Sequence, residues 1–187
     1  MQLKTPAGAH SLNQASVLEK TGKPLEHWYA LLDKWGARQK KHKEIAAYLG
    51  KELKLPPWWG QMVAVQYERD RGLRELNQKC DGEFSMSKSI TLCVPVSKIF
   101  AAWNEPRARA AWLKPDSFEI TTANANKNIR GKWSKGKSRL EIRFYPKGKS
   151  KVQAVLDHGK LAGPKDVLKF KKFWEAQLER LAEHLEG

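Results

Sequence analysis

Apolar and polar residues alternate along several stretches in the second half of the chain. Such alternation predicts β-strands, because successive side chains of a strand point to opposite faces of the sheet. Five segments are predicted as strands on this basis: 87–94, 118–122, 129–133, 140–144 and 151–156. Turn residues separate the last three segments, so we expect these strands to pair antiparallel through hairpins.

Three helices complete the pattern of this half. Pro95 and the Glu105-Pro106 pair each open a short helix between the first two strands. After Pro164, apolar residues recur every three or four positions, which predicts one long amphipathic helix. Its apolar stripe consists of Val167, Phe170, Trp174, Leu178, Leu181 and Leu185. The order of elements predicts an α+β fold, in which an antiparallel sheet is wrapped on a long C-terminal helix.

The first half of the chain shows the helical period only. Four helices are predicted there, at 13–21, 24–35, 45–53 and 58–71. A polar link containing Asp81-Gly82 follows them. We therefore predict an N-terminal all-α module at 13–79 and a sheet-and-helix domain at 85–187, after a loose tail at 1–12.

Length and composition fit one large or two small packed domains. The chain has 187 residues, of which 41% are hydrophobic, and eight are Trp. No apolar run approaches the ~20 residues that span a bilayer, and the N-terminus shows no secretory signal. The two cysteines, Cys80 and Cys93, are typical of reduced thiols and too few for a structural zinc site. These features predict a protein of bacterial-type cytoplasm.

The second half resembles a known superfamily. The strand and two short helices over 87–112, the strands through His158, and the closing helix with Phe173-Trp174 and Leu178 look like the SRPBCC (START-like, helix-grip) superfamily. They look most like its branch named for activators of the heat-shock-protein-ninety ATPase. The resemblance implies a helix-grip-like sheet, a possible hydrophobic cavity and, by resemblance only, a co-chaperone-like role. About four strands follow the short helices, where the fuller grip has six, so any cavity is expected to be small.

The first half is similar to a small bacterial helical domain of unknown function, which often precedes such a fold. The similarity is carried by Glu19-Lys20-Thr21-Gly22, His42-Lys43-Glu44-Ile45 and Trp58-Trp59-Gly60-Gln61-Met62. It implies a helical fold and no particular chemistry.

Large apolar side chains that point between the predicted sheet and its helix are the candidate ligand-binding residues. They are Trp103, Trp112, Phe118, Trp133, Ile142, Phe144, Phe170, Trp174 and Leu178. Such residues would line a pocket for a flat apolar ligand, and the alternative is an ordinary aromatic core. The function predicted here is non-enzymatic binding of a small apolar molecule or of a protein partner.

Charge supports an alternative function. The net charge is +15, and between Lys127 and Lys151 ten Lys and Arg residues stand against one acid, Glu141. A field of one sign favours an anionic partner such as nucleic acid, whereas exposed Lys on strands also simply protects a sheet from aggregation. A nucleic-acid surface on the sheet face over 132–151 and the adjoining Arg130 would use Arg130, Lys132, Lys137, Arg139, Arg143, Lys149 and Lys151. Only Tyr145 offers a stacking ring on that face, which weighs against single-strand binding.

No catalytic or metal-binding residue and no cofactor is predicted, so we expect no enzyme activity. Residues 131–138 match the letters of a phosphate-binding loop, but an alternating strand follows them rather than a helix, which predicts a plain hairpin. His158 follows Asp157 at a predicted strand end and is interpreted as part of a turn. Glu141 is expected to stay ionised and to pair across strands.

Overall fold

The chain divides into two units, with the boundary between Gly82 and Glu83. The structure is a computed structural model and describes residues 12–114, 117–134 and 137–187. The predicted tail falls outside these ranges except for its last residue, and the predicted turn at 135–136 lies outside them entirely.

Helices form the first unit. Its described α-helices are α1 (Gln14–Thr21), α2 (Leu25–Trp35), α3 (His42–Ala47) and α4 (Pro57–Asp70). Asn13 caps α1, because its side chain accepts a hydrogen bond of 3.1 Å from the backbone N–H of Ser16. Gly36 ends α2 in the left-handed conformation at φ 77°, where a side chain would be strained. These two caps set the beginning of α1 and the end of α2.

The apolar stripes of the helices meet in one core. Leu32, Ile45, Leu49 and Tyr67 are fully buried there. The predicted helix over 45–53 is observed as α3 followed by a π-helical turn at Tyr48–Glu52, so the stripe continues through a change of helix type.

The second unit contains an antiparallel sheet with the strand order β1-β5-β4-β3-β2. Its strands are β1 (Phe84–Leu92), β2 (Phe118–Asn124), β3 (Asn128–Trp133), β4 (Ser138–Pro146) and β5 (Val152–Leu161). The remaining elements are α5 (Val96–Asn104), α6 (Pro106–Trp112) and α7 (Pro164–Glu186). This is the α+β fold that the pattern predicted.

The last strand is longer than predicted, and His158 is not in a turn. β5 continues to Leu161, and His158 pairs with Leu140 of β4 and with Met86 of β1. Composition misled the prediction, because Asp157-His158-Gly159 has the composition of a turn. The side chain of His158 nevertheless keeps the inward position of the alternation and is fully buried.

β3 and β4 form the hairpin predicted for residues 131–138. Their register pairs Gly131 with Leu140 and Trp133 with Ser138. A Cβ built on Gly131 would overlap the carbonyl oxygen of Glu119 and the ring of Phe118 on the neighbouring strand. Gly131 therefore permits close approach of β2, where the pairing shifts between Ile120 and Thr122, and does not cradle a phosphate.

α7 packs its apolar stripe against the sheet. Val167, Trp174, Leu178 and Leu181 are buried in the shared core. On the flank of the stripe, the Lys88 ammonium of β1 bonds the Glu175 carboxylate at 2.8 Å. The stripe predicted from spacing is therefore the contact that closes the unit.

We expect Trp174→Ala to destabilise the second unit by ~3–5 kcal/mol, because a fully buried indole is replaced by a cavity. The free energy of unfolding, measured by chemical denaturation, checks this. A loss below about 1 kcal/mol would contradict the packing described for the stripe.

Candidate functional site

Five of the predicted ligand-binding residues form a contact cluster between the sheet and α7. Between ring centroids, Trp103 lies 4.6 Å from Trp112, 6.0 Å from Trp174 and 6.3 Å from Phe118. Trp133 lies 5.0 Å from Trp174. None of the five side chains is more than 5% exposed. We call these residues the aromatic cluster.

The other four predicted residues belong to the same core. Ile142, Phe144 and Leu178 are buried, and Phe170 is partly buried against them. Phe144 contacts Phe100 at 5.9 Å between ring centroids. Sequence spacing thus brought all nine residues to one interior, and their role in binding stays a prediction.

Three indoles of the aromatic cluster differ in how their N–H groups are used. The Trp112 Nε1–H donates to the carbonyl oxygen of Ala102 at 3.1 Å, and the Trp174 Nε1–H donates to His158 Nδ1 at 3.0 Å. Among the described residues, the buried Trp103 Nε1 has no hydrogen-bond partner. A buried donor without a partner costs about 1–3 kcal/mol and calls for an explanation.

His158 joins three elements through its two ring nitrogens. Nδ1 accepts from the Trp174 indole, so the proton of the neutral ring sits on Nε2 and is donated to the Ser138 hydroxyl at 2.8 Å. Burial lowers the pKa of His158 from 6.5 to about 4, and the more distant carboxylate of Asp166 opposes this shift. The ring therefore stays neutral at physiological pH and connects α7 to β5 and β4.

Arg109 is a buried cation that sequence reasoning missed. Its guanidinium donates to the carbonyl oxygens of Trp103 at 2.9 Å and of Phe118 at 3.4 Å. It thereby binds the end of α5 to the start of β2 beside the aromatic cluster. The available signal was its spacing of three residues before Trp112, which puts both on one side of α6.

The predicted basic surface is split by the fold. Arg130, Lys132, Arg139 and Arg143 lie on the solvent face of β3 and β4, as alternation predicted. The other three members lie in connections between strands, where Lys137 precedes β4 and the pair Lys149 and Lys151 precedes β5. The prediction that Lys151 belongs to this sheet face is therefore wrong, and the basic face consists of four residues.

Acidic side chains compensate part of this face. Glu141 accepts from Arg130 at 2.9 Å and lies 4.0 Å from Arg143, and Asp157 pairs with Arg143. The cross-strand pairing predicted for Glu141 is observed. Asp157 was not expected there, because residue 157 was assigned to a turn.

The second unit is therefore a long helix packed on a five-stranded antiparallel sheet, with an aromatic core between them. None of the helices in the described part of the chain combines the length and apolar character needed to cross a bilayer. The family model described as "Domain of unknown function (DUF4287)" matches residues 10–69. This match confirms the resemblance stated for the first helices.

The chain is also similar to several solved structures, each of which matches a little over half of its length. An Aha1 dimer from Colwellia psychrerythraea is 14% identical, with 55% of this chain and 96% of that chain covered and a TM-score of 0.47. An AHSA1-like protein from Rhizobium etli is 16% identical, with 56% and 83% covered and a TM-score of 0.48. CalU16 from Micromonospora echinospora is 18% identical, with 52% and 71% covered and a TM-score of 0.46. No curated protein matches the chain.

The stability of the second unit should depend on pH through His158. Its pKa rises from about 4 in the folded state to 6.5 in the unfolded chain, which therefore binds more protons between these values. The stabilisation is complete above pH 6.5 and is lost as the pH falls toward 4, by about 3 kcal/mol in all. The free energy of unfolding, measured by denaturation at several pH values between 4 and 6.5, should depend less steeply on pH in His158→Gln than in the parent chain. Equal pH dependence in the two proteins would contradict the role assigned to His158.

The three indole N–H groups should be separable by replacement with Phe. Trp112→Phe and Trp174→Phe each lose a buried hydrogen bond, whereas Trp103→Phe loses none. We expect the first two variants to be destabilised by about 1 kcal/mol more than Trp103→Phe in chemical denaturation. Equal losses in all three would mean that the Trp103 N–H is satisfied in solution.

Proposed function

We propose that this protein is a non-enzymatic binding protein whose second unit takes a small, mostly apolar ligand with one hydrogen-bond acceptor. The observation that carries the proposal is the unpartnered Trp103 N–H within the aromatic cluster. An apolar interior with few placed polar groups is typical of small-molecule sites. A carbonyl or ether oxygen next to Nε1 would supply the acceptor that this donor lacks.

The packing limits the size of such a ligand. Trp103 touches both Trp112 and Trp174, so a ligand has to separate rings that are already in contact. A molecule of about one ring needs the smallest displacement, whereas a sterol would require rebuilding of the core. This argument favours one-ring ligands over bulky ones.

The polar groups near the aromatic cluster support binding without catalysis. Both nitrogens of His158 are engaged in hydrogen bonds, and Arg109 holds backbone carbonyls. These groups are thus used to support the fold. The exposed and unpaired cysteines, Cys80 and Cys93, support a reducing bacterial cytoplasm as the compartment.

Two other functions are less well supported. Nucleic-acid binding by the sheet face is weakened because Glu141 and Asp157 engage Arg130 and Arg143. The co-chaperone-like alternative, binding of a protein partner, does not involve the buried Trp103 indole. This alternative would be favoured if the interior bound no small molecule.

The test compares acetophenone with ethylbenzene, which have nearly the same size but differ in the acceptor. We expect saturable binding of acetophenone to the full chain in titrations followed by NMR. In Trp103→Phe, the preference for acetophenone over ethylbenzene should fall about 3- to 10-fold, which is the worth of one hydrogen bond.

The ratio of the two affinities is used because the smaller Phe ring leaves extra space for both ligands alike, and this effect cancels in the ratio. Trp112→Phe is the matched variant, since its indole N–H is already bonded to Ala102. It should leave the ratio unchanged. Binding of neither compound, or an unchanged ratio in Trp103→Phe, would overturn the proposal.

A further inference from the structure

The first unit contains an open groove of about 930 Å³. One wall is the segment over 38–44, which leads from the turn after α2 into α3, and the other is the segment over 73–82 after α4. All lining residues belong to the first unit, so the groove is complete without the sheet domain. Its volume lies within the range usual for small-molecule sites.

Cationic side chains dominate the lining. The groove is lined by six basic residues and three acidic ones. The basic residues are Arg38, Lys40, Lys41, Lys43, Arg74 and Lys79, and the acidic residues are Glu44, Glu68 and Asp81. One carboxylate, Glu44, is engaged by the backbone N–H of Lys41 at 2.9 Å. Another, Glu68, is engaged in the floor of the groove.

The floor is a buried ion network. Glu68 is only 6% exposed and accepts from Arg74 Nε at 3.2 Å and from His42 Nδ1 at 3.1 Å. His42 Nε2 lies 2.9 Å from the Gln61 side-chain oxygen, so both ring nitrogens have a hydrogen-bond partner. The network holds Arg74 in place beneath the groove.

The second wall is held by its own hydrogen bonds. The backbone N–H groups of Leu73 and Arg74 donate to the Glu68 carbonyl oxygen at 2.7 and 3.2 Å. The Gln78 side chain accepts from the Glu75 N–H at 2.9 Å and donates to the Gly82 carbonyl at 3.3 Å. The groove is therefore formed before any ligand arrives, which reduces the ordering cost of binding.

The lysines on the rim of the groove differ from Arg74, which is paired with Glu68. Lys41, Lys43 and Lys79 are exposed, and no described carboxylate pairs with them, while Lys40 lies over the Trp35 ring at 5.4 Å. Like charges gathered around a concavity raise the local potential and concentrate anions. Ammonium groups on flexible stems act as mobile point charges, which suits phosphoryl oxygens.

We propose that this groove binds a small, multiply charged anion of the phosphoryl class. The concave shape fits a compact ligand, whereas a nucleic-acid strand would need a longer track of charge. The site is independent of the aromatic cluster, so its test does not depend on the function proposed above.

The probe is inorganic tripolyphosphate, titrated into the full chain by calorimetry at about 150 mM salt, where nonspecific attraction is screened. We expect saturable binding with one site per chain. The variant Lys41→Gln/Lys43→Gln/Lys79→Gln should bind at least about tenfold more weakly.

The matched control is Lys160→Gln/Lys165→Gln/Lys172→Gln, which removes the same charge from exposed positions of the second unit. It should bind within about twofold of the parent chain. Equal losses in both variants would assign binding to net charge and overturn the proposal, as would a titration without saturation.

A second arm separates the sources of the phosphoryl group. Vesicles of phosphatidylcholine are compared with and without a phosphoinositide. Vesicle binding that the groove variant loses would support a lipid headgroup as the ligand, and binding of the soluble anion alone would support a free metabolite. Tighter binding of single-stranded RNA than of tripolyphosphate, lost in the same variant, would overturn the assignment to a small anion.

Discussion

The second unit depends on the hydrogen bond from the Trp174 indole to the imidazole of His158. This polar contact joins α7 to β5 inside the core, and Ser138 extends it to β4. Because the bond requires an unprotonated Nδ1, the neutral ring is part of the fold. The same constraint fixes the position of Trp174, around which Trp103 and Trp133 pack.

The two units use their polar groups in opposite ways. In the second unit the indole N–H groups of Trp112 and Trp174 are matched to acceptors inside the core, whereas the Trp103 N–H has no partner among the described residues. In the first unit the buried Glu68 collects His42 and Arg74 below a groove that stays open to solvent. A buried carboxylate needs such partners, because an unpaired charge in a core is costly. These two arrangements are the basis of the two proposals, an apolar ligand for the second unit and an anion for the first.

The number of cations in the sequence did not distinguish the basic sheet face of the second unit from the groove of the first unit. The strongest run of cations in the sequence, between Lys127 and Lys151, is partly compensated on the sheet face by Glu141 and by Asp157. The lysines of the groove are fewer and less conspicuous in the sequence, yet they surround a concavity. Whether a cation is available depends on which acid the fold places beside it, and this is a matter of position in space.

Periodicity by itself determined the helices, the strands and their inward faces, because both depend on side chains only a few residues apart. Nine residues assigned to the interior from spacing lie in one core, and Asn13 and Gly36 cap α1 and α2 close to the bounds predicted for these helices. The tertiary structure decided the contacts between residues that are far apart in the sequence, which the spacing of apolar residues does not predict. The strand position of His158, the pairing of Asp157 with Arg143 and the groove above Glu68 all join residues 14 or more positions apart or rest on such contacts. Such contacts depend on strand register and helix packing, which form only when the whole chain has folded.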